Sequence, residues 1–144
     1  MGTMAPAPSS LPPITAFPDP AIFQAMGAEG LRNLLRAVYR RLAASSIASL
    51  FPSDPEALQS AADKSSLFFV GICGGPPLYE QKFGPPRMRL RHQGFAITEE
   101  ARTVWIGCWE ETLRSAPEDF GFPADHLGTF REYLNSFSKW MVNQ

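Results

Sequence analysis

The chain has 144 residues, 44% of them hydrophobic, which is enough to fill the core of one ordinary domain. Its 13 cations and 14 carboxylates leave a net charge of -1, so nothing pulls the whole molecule toward nucleic acid and any basic site must be local. No apolar run nears the roughly 20 residues of a membrane helix, and the start lacks a charged region followed by an apolar core, so neither a membrane partner nor a signal peptide is expected.

Residues 1–20 hold six of the 14 prolines, among Ala, Ser and Gly. Such a segment has little to bury and no helix to offer, so a flexible extension is expected. Ile14 and Phe17 leave open an arm packed on the domain. The globular part then runs from residue 21 to 144. Ala21–Met26 predicts a short helix stopped by Gly27. Ala28–Ala44 predicts a longer one. There Leu31, Leu34, Leu35, Val38, Tyr39 and Leu42 recur at three- and four-residue spacing, with Arg32, Arg36, Arg40 and Arg41 on the other face. Phe51-Pro-Ser-Asp-Pro is a turn, and Ser53 or Asp54 caps the next helix, with Pro55 in its first turn. That helix ends near Cys73, where Gly74-Gly75-Pro76-Pro77 forbids continuation. Residues 78–86 suggest a loop with one helical turn, and Pro86–Arg91 a brief helix. Thr98-Glu-Glu opens a further helix through Val104, Trp105, Cys108, Trp109 and Leu113. The last helix is predicted over Asp125–Val142. No strand pattern and no phosphate loop is present, so the expected class is all-α, with five or six helices. Cys73 and Cys108 stand apart in apolar company, which suits packed thiols in a reducing, cytoplasmic protein better than a disulfide or zinc.

The chemistry concentrates in Phe83–Phe95, FGPPRMRLRHQGF. Three arginines alternate there before one of the chain's two histidines. A helix from Pro86 sets Met88 and Arg89 on the side of His92. Met88 and Phe95 would wall an apolar slot around the imidazole, with Arg89 or Arg91 at its rim. That slot suits a flat, apolar, metal-bearing ligand with acids along one edge, and haem fits. Iron would take one imidazole nitrogen, propionates the arginines, and a backbone carbonyl the other ring nitrogen. A solvated surface histidine remains the plain alternative for this segment taken alone. His126, near a helix start, has no comparable setting.

Residues 70–105, VGICGGPPLYEQKFGPPRMRLRHQGFAITEEARTVW, resemble the signature of truncated haemoglobins, group II in particular. The matching pieces are Gly74-Gly75-Pro76, Tyr79, Gly84 to His92, Phe95 and Trp105. Upstream, AVYRRL around Tyr39 is similar to the family's distal-tyrosine helix. The resemblance implies a two-over-two helical sandwich around haem b. It implies His92 as proximal iron ligand, with Tyr39 and Trp105 as distal donors. Ala61 and Ser65 fall at further distal positions. Phe51, one residue early but ahead of Pro52, matches a haem-stacking aromatic, and Phe68 and Phe69 would line the pocket. Lys64, Tyr79 and Arg91 match propionate-side contacts. Two departures stand out. Ser65 is small and polar where bulk is common, and it can meet the ligand, hold a water, bond its own backbone or leave space. Gln93-Gly94 replaces a stiffer pair after the histidine.

The implied function is binding of diatomic gases (O2, CO, NO). Two donors to a partly charged ligand, at roughly 1.5–3 kcal/mol each, would slow its release about a hundredfold or more. That favours tight O2 binding, sensing or storage. The alternative is a redox enzyme, an NO dioxygenase or peroxidase-like protein, working with an external reductase because no reductase domain accompanies the globin. A helical interaction module that has lost haem is a third reading, against which the intact His92 slot argues. A homodimer remains open.

Overall fold

Gly27 sets the first bend of the fold. In a computed structural model that describes residues 16–144, its backbone sits at φ 66° and ψ -179°, a conformation that favours glycine. Helix α1, Ala21–Ala43, is therefore two helical pieces joined at that kink, as the sequence suggested. Its buried face carries Ile22, Met26, Leu31, Leu34, Leu35, Val38 and Leu42. Arg36 leaves this face sideways and clamps Asp63 of α2 (Pro55–Ile72) with two bonds of 2.7 and 2.8 Å. Hydrogen bonding to Arg36 holds the Asp63 carboxyl below its ordinary value.

Asp54, not Ser53, caps α2, accepting from the Ala57 amide at 2.9 Å. The helix closes on glycines because nothing larger fits. A Cβ on Gly75 would lie 2.7 Å from atoms of both Phe23 and Val70, and one on Gly74, at φ 93°, would lie 2.7 Å from Pro20. Helix α3, Leu78–Phe83, is longer than the single turn expected there. Tertiary packing completes it: Tyr79 is buried between Phe68 and Phe83, with ring centroids 6.3 and 5.2 Å away. Helix α4 is one turn, Met88–Arg91, entered through Arg87 in the left-handed region at φ 40°.

Thr98 caps α5, Glu99–Leu113, by accepting from the Ala101 amide at 3.1 Å. Helix α6, Ala116–Phe120, was not expected, although its signals are present: Pro117 and two acids in the first turn and Gly121 at φ 71° after its end. A 3-10 turn at Ala124–His126 then leads into α7, Leu127–Met141, which starts slightly later than predicted. Seven α-helices among the described residues replace the five or six expected, the additions being α3 and α6.

Helix α1 packs against α2 and α5, and α5 against α7, giving the two-over-two sandwich. One core joins α1, the end of α2, Trp109, Leu113, Phe130 and Leu134. Each such Leu or Phe contributes about 1.5–3 kcal/mol of burial. A second cluster, Tyr133, Phe137 and Met141 with Phe68, Met88, Ile97 and Trp105 against it, lies on the other side of α2 and α5 and leaves room between them. Of the proline-rich extension, residues 1–15 lie outside the described residues. Phe17 stacks on Tyr133 at 6.0 Å, and the Asp19 amide donates to Thr129 Oγ1 at 3.3 Å, so residues 16–20 run along α7. No helix among the described residues is long and apolar enough to cross a membrane.

Candidate functional site

The two clusters enclose a cavity of about 580 Å³ with mostly apolar walls. This size lies in the ordinary range for a small-molecule or cofactor site. Five helices and the loops beside them supply its chemistry: Tyr39 from α1, Phe51 from the turn before α2, Ala61, Lys64, Ser65, Phe68 and Phe69 from α2, Tyr79 from α3 and Trp105 from α5. Met88, Arg91, His92 and Phe95 come from α4 and the residues after it.

His92 sits at the C-terminal end of α4, where Met88, four residues back, turns its carbonyl outward. The His92 Nδ1 lies 2.6 Å from that oxygen. A carbonyl only accepts, so Nδ1 carries the proton and Nε2 keeps its lone pair for a metal. Phe95 lies 6.0 Å from the imidazole, centroid to centroid.

Across the cavity, burial pushes the Tyr39 phenol above its ordinary value, and the hydroxyl of Ser65 works the other way. Phe51 meets the Tyr39 ring edge-on at 5.5 Å and 79°. The Trp105 ring is half-buried, 5.9 Å from Trp109, and its indole N–H has no acceptor among the described residues. The cavity thus offers one metal-ready nitrogen and a cluster of O–H and N–H donors.

Cations gather at one edge. Lys64 Nζ lies 4.6 Å from the Phe83 centroid, and the Arg91 guanidinium lies 5.6 Å from that of Tyr79. Burial raises the Tyr79 phenol above its ordinary value, and Arg91 opposes that rise. Arg91 also donates to the carbonyls of Phe83, Pro85 and Pro86 at 2.7–3.1 Å, which holds it beside the cavity. Arg89 departs from the expected propionate group. Its guanidinium donates to the carbonyls of Trp140 and Val142 at 2.9 and 3.4 Å, and it is not among the cavity walls. Carbonyls at the end of a helix accept readily from cationic side chains, and those of Trp140 and Val142 hold Arg89 there.

Several walls escaped the sequence reading. Leu35, Ile47 and Leu50 close one side, and Ile97, Ala101, Phe137 and Met141 another. Phe137 and Met141 do show helical spacing, but periodicity marks a buried face without saying whether a cavity or a core lies beyond it. Trp109, expected as core, is 1% exposed and also borders the cavity. Arg102 and Ser138 reach it too, bonded to each other at 2.9 Å.

These residues fit haem. Among the described residues no group of three His, Cys, Asp or Glu side chains gathers to hold a metal. A metal bound by the one imidazole would have to bring its remaining ligands with it, as a porphyrin does. The apolar walls suit the macrocycle and the Lys64–Tyr79–Arg91 edge suits its carboxylates.

Comparison with known proteins agrees. The family model for bacterial-like globins matches residues 21–143. The group 2 truncated hemoglobin YjbI of Bacillus subtilis (strain 168) is 33% identical over 86% of this chain and 89% of its own length. Among solved structures, phosphate-bound Hell's gate globin IV is 36% identical with a TM-score of 0.82, covering 99% of this chain and 88% of that one. The truncated oxygen-avid haemoglobin from Bacillus subtilis is 31% identical with a TM-score of 0.75, covering 87% of this chain and 99% of that one. The chain belongs to the bacterial-like globin family and is a truncated haemoglobin of the group II kind, with haem b as its cofactor.

Proposed function

We propose that this globin holds haem through His92 and binds O2 tightly against Tyr39, Trp105 and Ser65, as a sensor or store. The carrying observation is the 2.6 Å bond between His92 Nδ1 and the Met88 carbonyl, which fixes the tautomer and leaves Nε2 for iron. Haem b held there would supply a ferrous iron able to bind O2, CO or NO. Lys64, Tyr79 and Arg91 take the propionate edge, and Phe51, Phe68, Phe69, Met88 and Phe95 wall the macrocycle. Tyr39 donates its hydroxyl proton in a hydrogen bond to the distal ligand, and Trp105 donates its indole N–H. Ser65 orients the phenol and is a third donor in reach of the same space. The solved Bacillus subtilis relative is described as oxygen-avid, which supports the same property here. Ala61 leaves the space beside these donors open.

The same donors favour a second reading, redox turnover as an NO dioxygenase or peroxidase-like enzyme, which needs an external reductant. An absorption spectrum of the purified protein tests the first step: ferric, then reduced, then with CO, beside His92→Ala. A strong Soret band that shifts on reduction and CO, and is lost or altered in the variant, is expected. Absence of haem uptake on reconstitution overturns both readings. Stopped-flow mixing of the O2 form with NO then separates them: rapid loss of that form with nitrate as product selects the enzyme.

A further inference from the structure

Charge is unevenly spread along this chain. Residues 81–98 hold four cations (Lys82, Arg87, Arg89 and Arg91) and no carboxylate, which leaves nine cations against 14 carboxylates elsewhere. This segment forms the mouth of the haem cavity, and Arg91 and Phe95 are both cavity walls and exposed residues. It also carries Leu90, 54% exposed, and Phe95, 44% exposed, two of the three large hydrophobic side chains left in solvent among the described residues. The surface is continuous. Lys64 and Lys82 both set an ammonium on the Phe83 ring, at 4.6 and 5.5 Å. Phe83 packs on Tyr79, Arg91 lies over Tyr79, and Phe95 lies against His92. None of Lys64, Lys82, Arg87 or Arg91 has a carboxylate partner among the described residues. Arg87 is exposed, on a backbone in the left-handed region.

The arginines of α1 are a second basic stripe, but Arg36 there is paired with Asp63, and no exposed large hydrophobic lies among them. With Lys64 and Arg91 given to the haem carboxylates, Lys82 and Arg87 remain as exposed cations without a carboxylate partner in the same segment as exposed Leu90 and Phe95, the make-up of a protein-binding face, with charge steering encounter and apolar contact holding it. We infer that the face made by Lys82, Arg87, Leu90 and Phe95 is the docking surface for an acidic one-electron carrier protein that reduces the haem. The inference rests on the haem reading above. A protein seated here stands against the open edge of the cavity. The carrier's reduced cluster gives up one electron and is oxidised, ferric iron becomes ferrous, and no covalent bond forms or breaks.

The test uses the ferric haem-loaded protein and reduced [2Fe–2S] ferredoxin as the acidic carrier, mixed without oxygen in a stopped-flow instrument. Raising salt from about 0.01 M to about 0.15 M shortens the Debye length from roughly 30 Å to 8 Å, and the second-order rate is expected to fall about tenfold or more. The double variant Lys82→Glu/Arg87→Glu is expected to lose about tenfold at low salt while its reduction by dithionite is unchanged. Calorimetric binding of oxidised ferredoxin is expected to weaken in that variant, and in Leu90→Ser with the salt dependence retained. Equal ferredoxin rates and affinities in wild type and variants, no binding by the wild type, or a salt-sensitive dimer of this chain seated on the same residues would each overturn the inference. A chain that takes up no haem fails the earlier reading instead.

Discussion

His92 Nδ1 and the carbonyl oxygen of Met88 are 2.6 Å apart across a single helical turn. The bond is local, so the tautomer is set by α4 itself and does not depend on any other element. On the proposed reading, in which His92 holds the haem, substituting His92 by Gly is expected to abolish nitrogen ligation of iron, and added imidazole to restore it in part. Because the bond to Met88 is lost in the rescued form, the free imidazole is not oriented. Haem transfer to an acceptor globin is therefore expected to remain faster than wild type by up to about tenfold, the worth of one neutral hydrogen bond of about 0.5–1.5 kcal/mol. Equal transfer rates would mean that the Met88 carbonyl orients nothing.

Tyr39 and Ser65 form the second relationship that can be separated by experiment. On the proposed reading Tyr39→Phe removes a donor to the distal ligand, and it is expected to raise the O2 dissociation rate by roughly ten- to a hundredfold, for a bond of about 1.5–3 kcal/mol. Ser65→Ala acts through the phenol. Burial raises the Tyr39 pKa and Ser65 lowers it, so removing the serine leaves burial unopposed. The alkaline spectral transition of the phenol is expected to move to higher pH. A move to lower pH, or none, would show that the serine hydroxyl does not meet the phenol.

Much of this site was legible because its chemistry is local in sequence. Met88 and His92 are one turn apart, and Gly74-Gly75-Pro76-Pro77 stops α2 for reasons visible in the residues alone. Arg89 shows where locality fails. Its sequence neighbours suggested the cavity edge, but carbonyls of Trp140 and Val142, 51 and 53 positions away, take its guanidinium. Helix α3 failed in the same way, since six residues are too few to be helical without Phe68 packed on Tyr79. The walls from Ile97, Phe137 and Met141 stayed hidden because a cavity and a packed core impose the same apolar spacing.

Gly71 lies one residue before the end of α2 at Ile72 and Gly75 three residues after it, and the two should respond oppositely to alanine. A Cβ at Gly75 would meet Phe23 and Val70 at 2.7 Å, and one at Gly71 would meet nothing within 4 Å. Gly75→Ala is expected to destabilise the fold by about 1–3 kcal/mol through overpacking. Gly71→Ala, inside a helix, is expected to stabilise it by about 0.5–1 kcal/mol. Urea midpoints of the two variants decide the matter, and a neutral Gly75→Ala would mean that α1 does not press on the glycine turn as described.

Three buried acids of neutral form set the alkaline limit of the fold. Burial pushes the Cys73 thiol up to about 12 and raises the phenols of Tyr39 and Tyr133 above their ordinary values. Their stabilisation is complete below the unfolded values, near 9–10. Above those values the unfolded chain releases protons that the folded chain still holds. The unfolded state then binds fewer protons, and stability falls with rising pH by up to about 1.4 kcal/mol per unit for each such group, until the folded values are passed. Denaturant unfolding at pH 7, 9 and 10.5 is expected to show a flat region followed by that decline. Cys73→Ala removes one of the three groups. It is expected to lower stability at pH 7 by about 1–2 kcal/mol, as small-cavity variants do, yet to decline less steeply above pH 9. A slope equal to the wild type's would mean that the thiol is not buried in its neutral form between α2 and Tyr133.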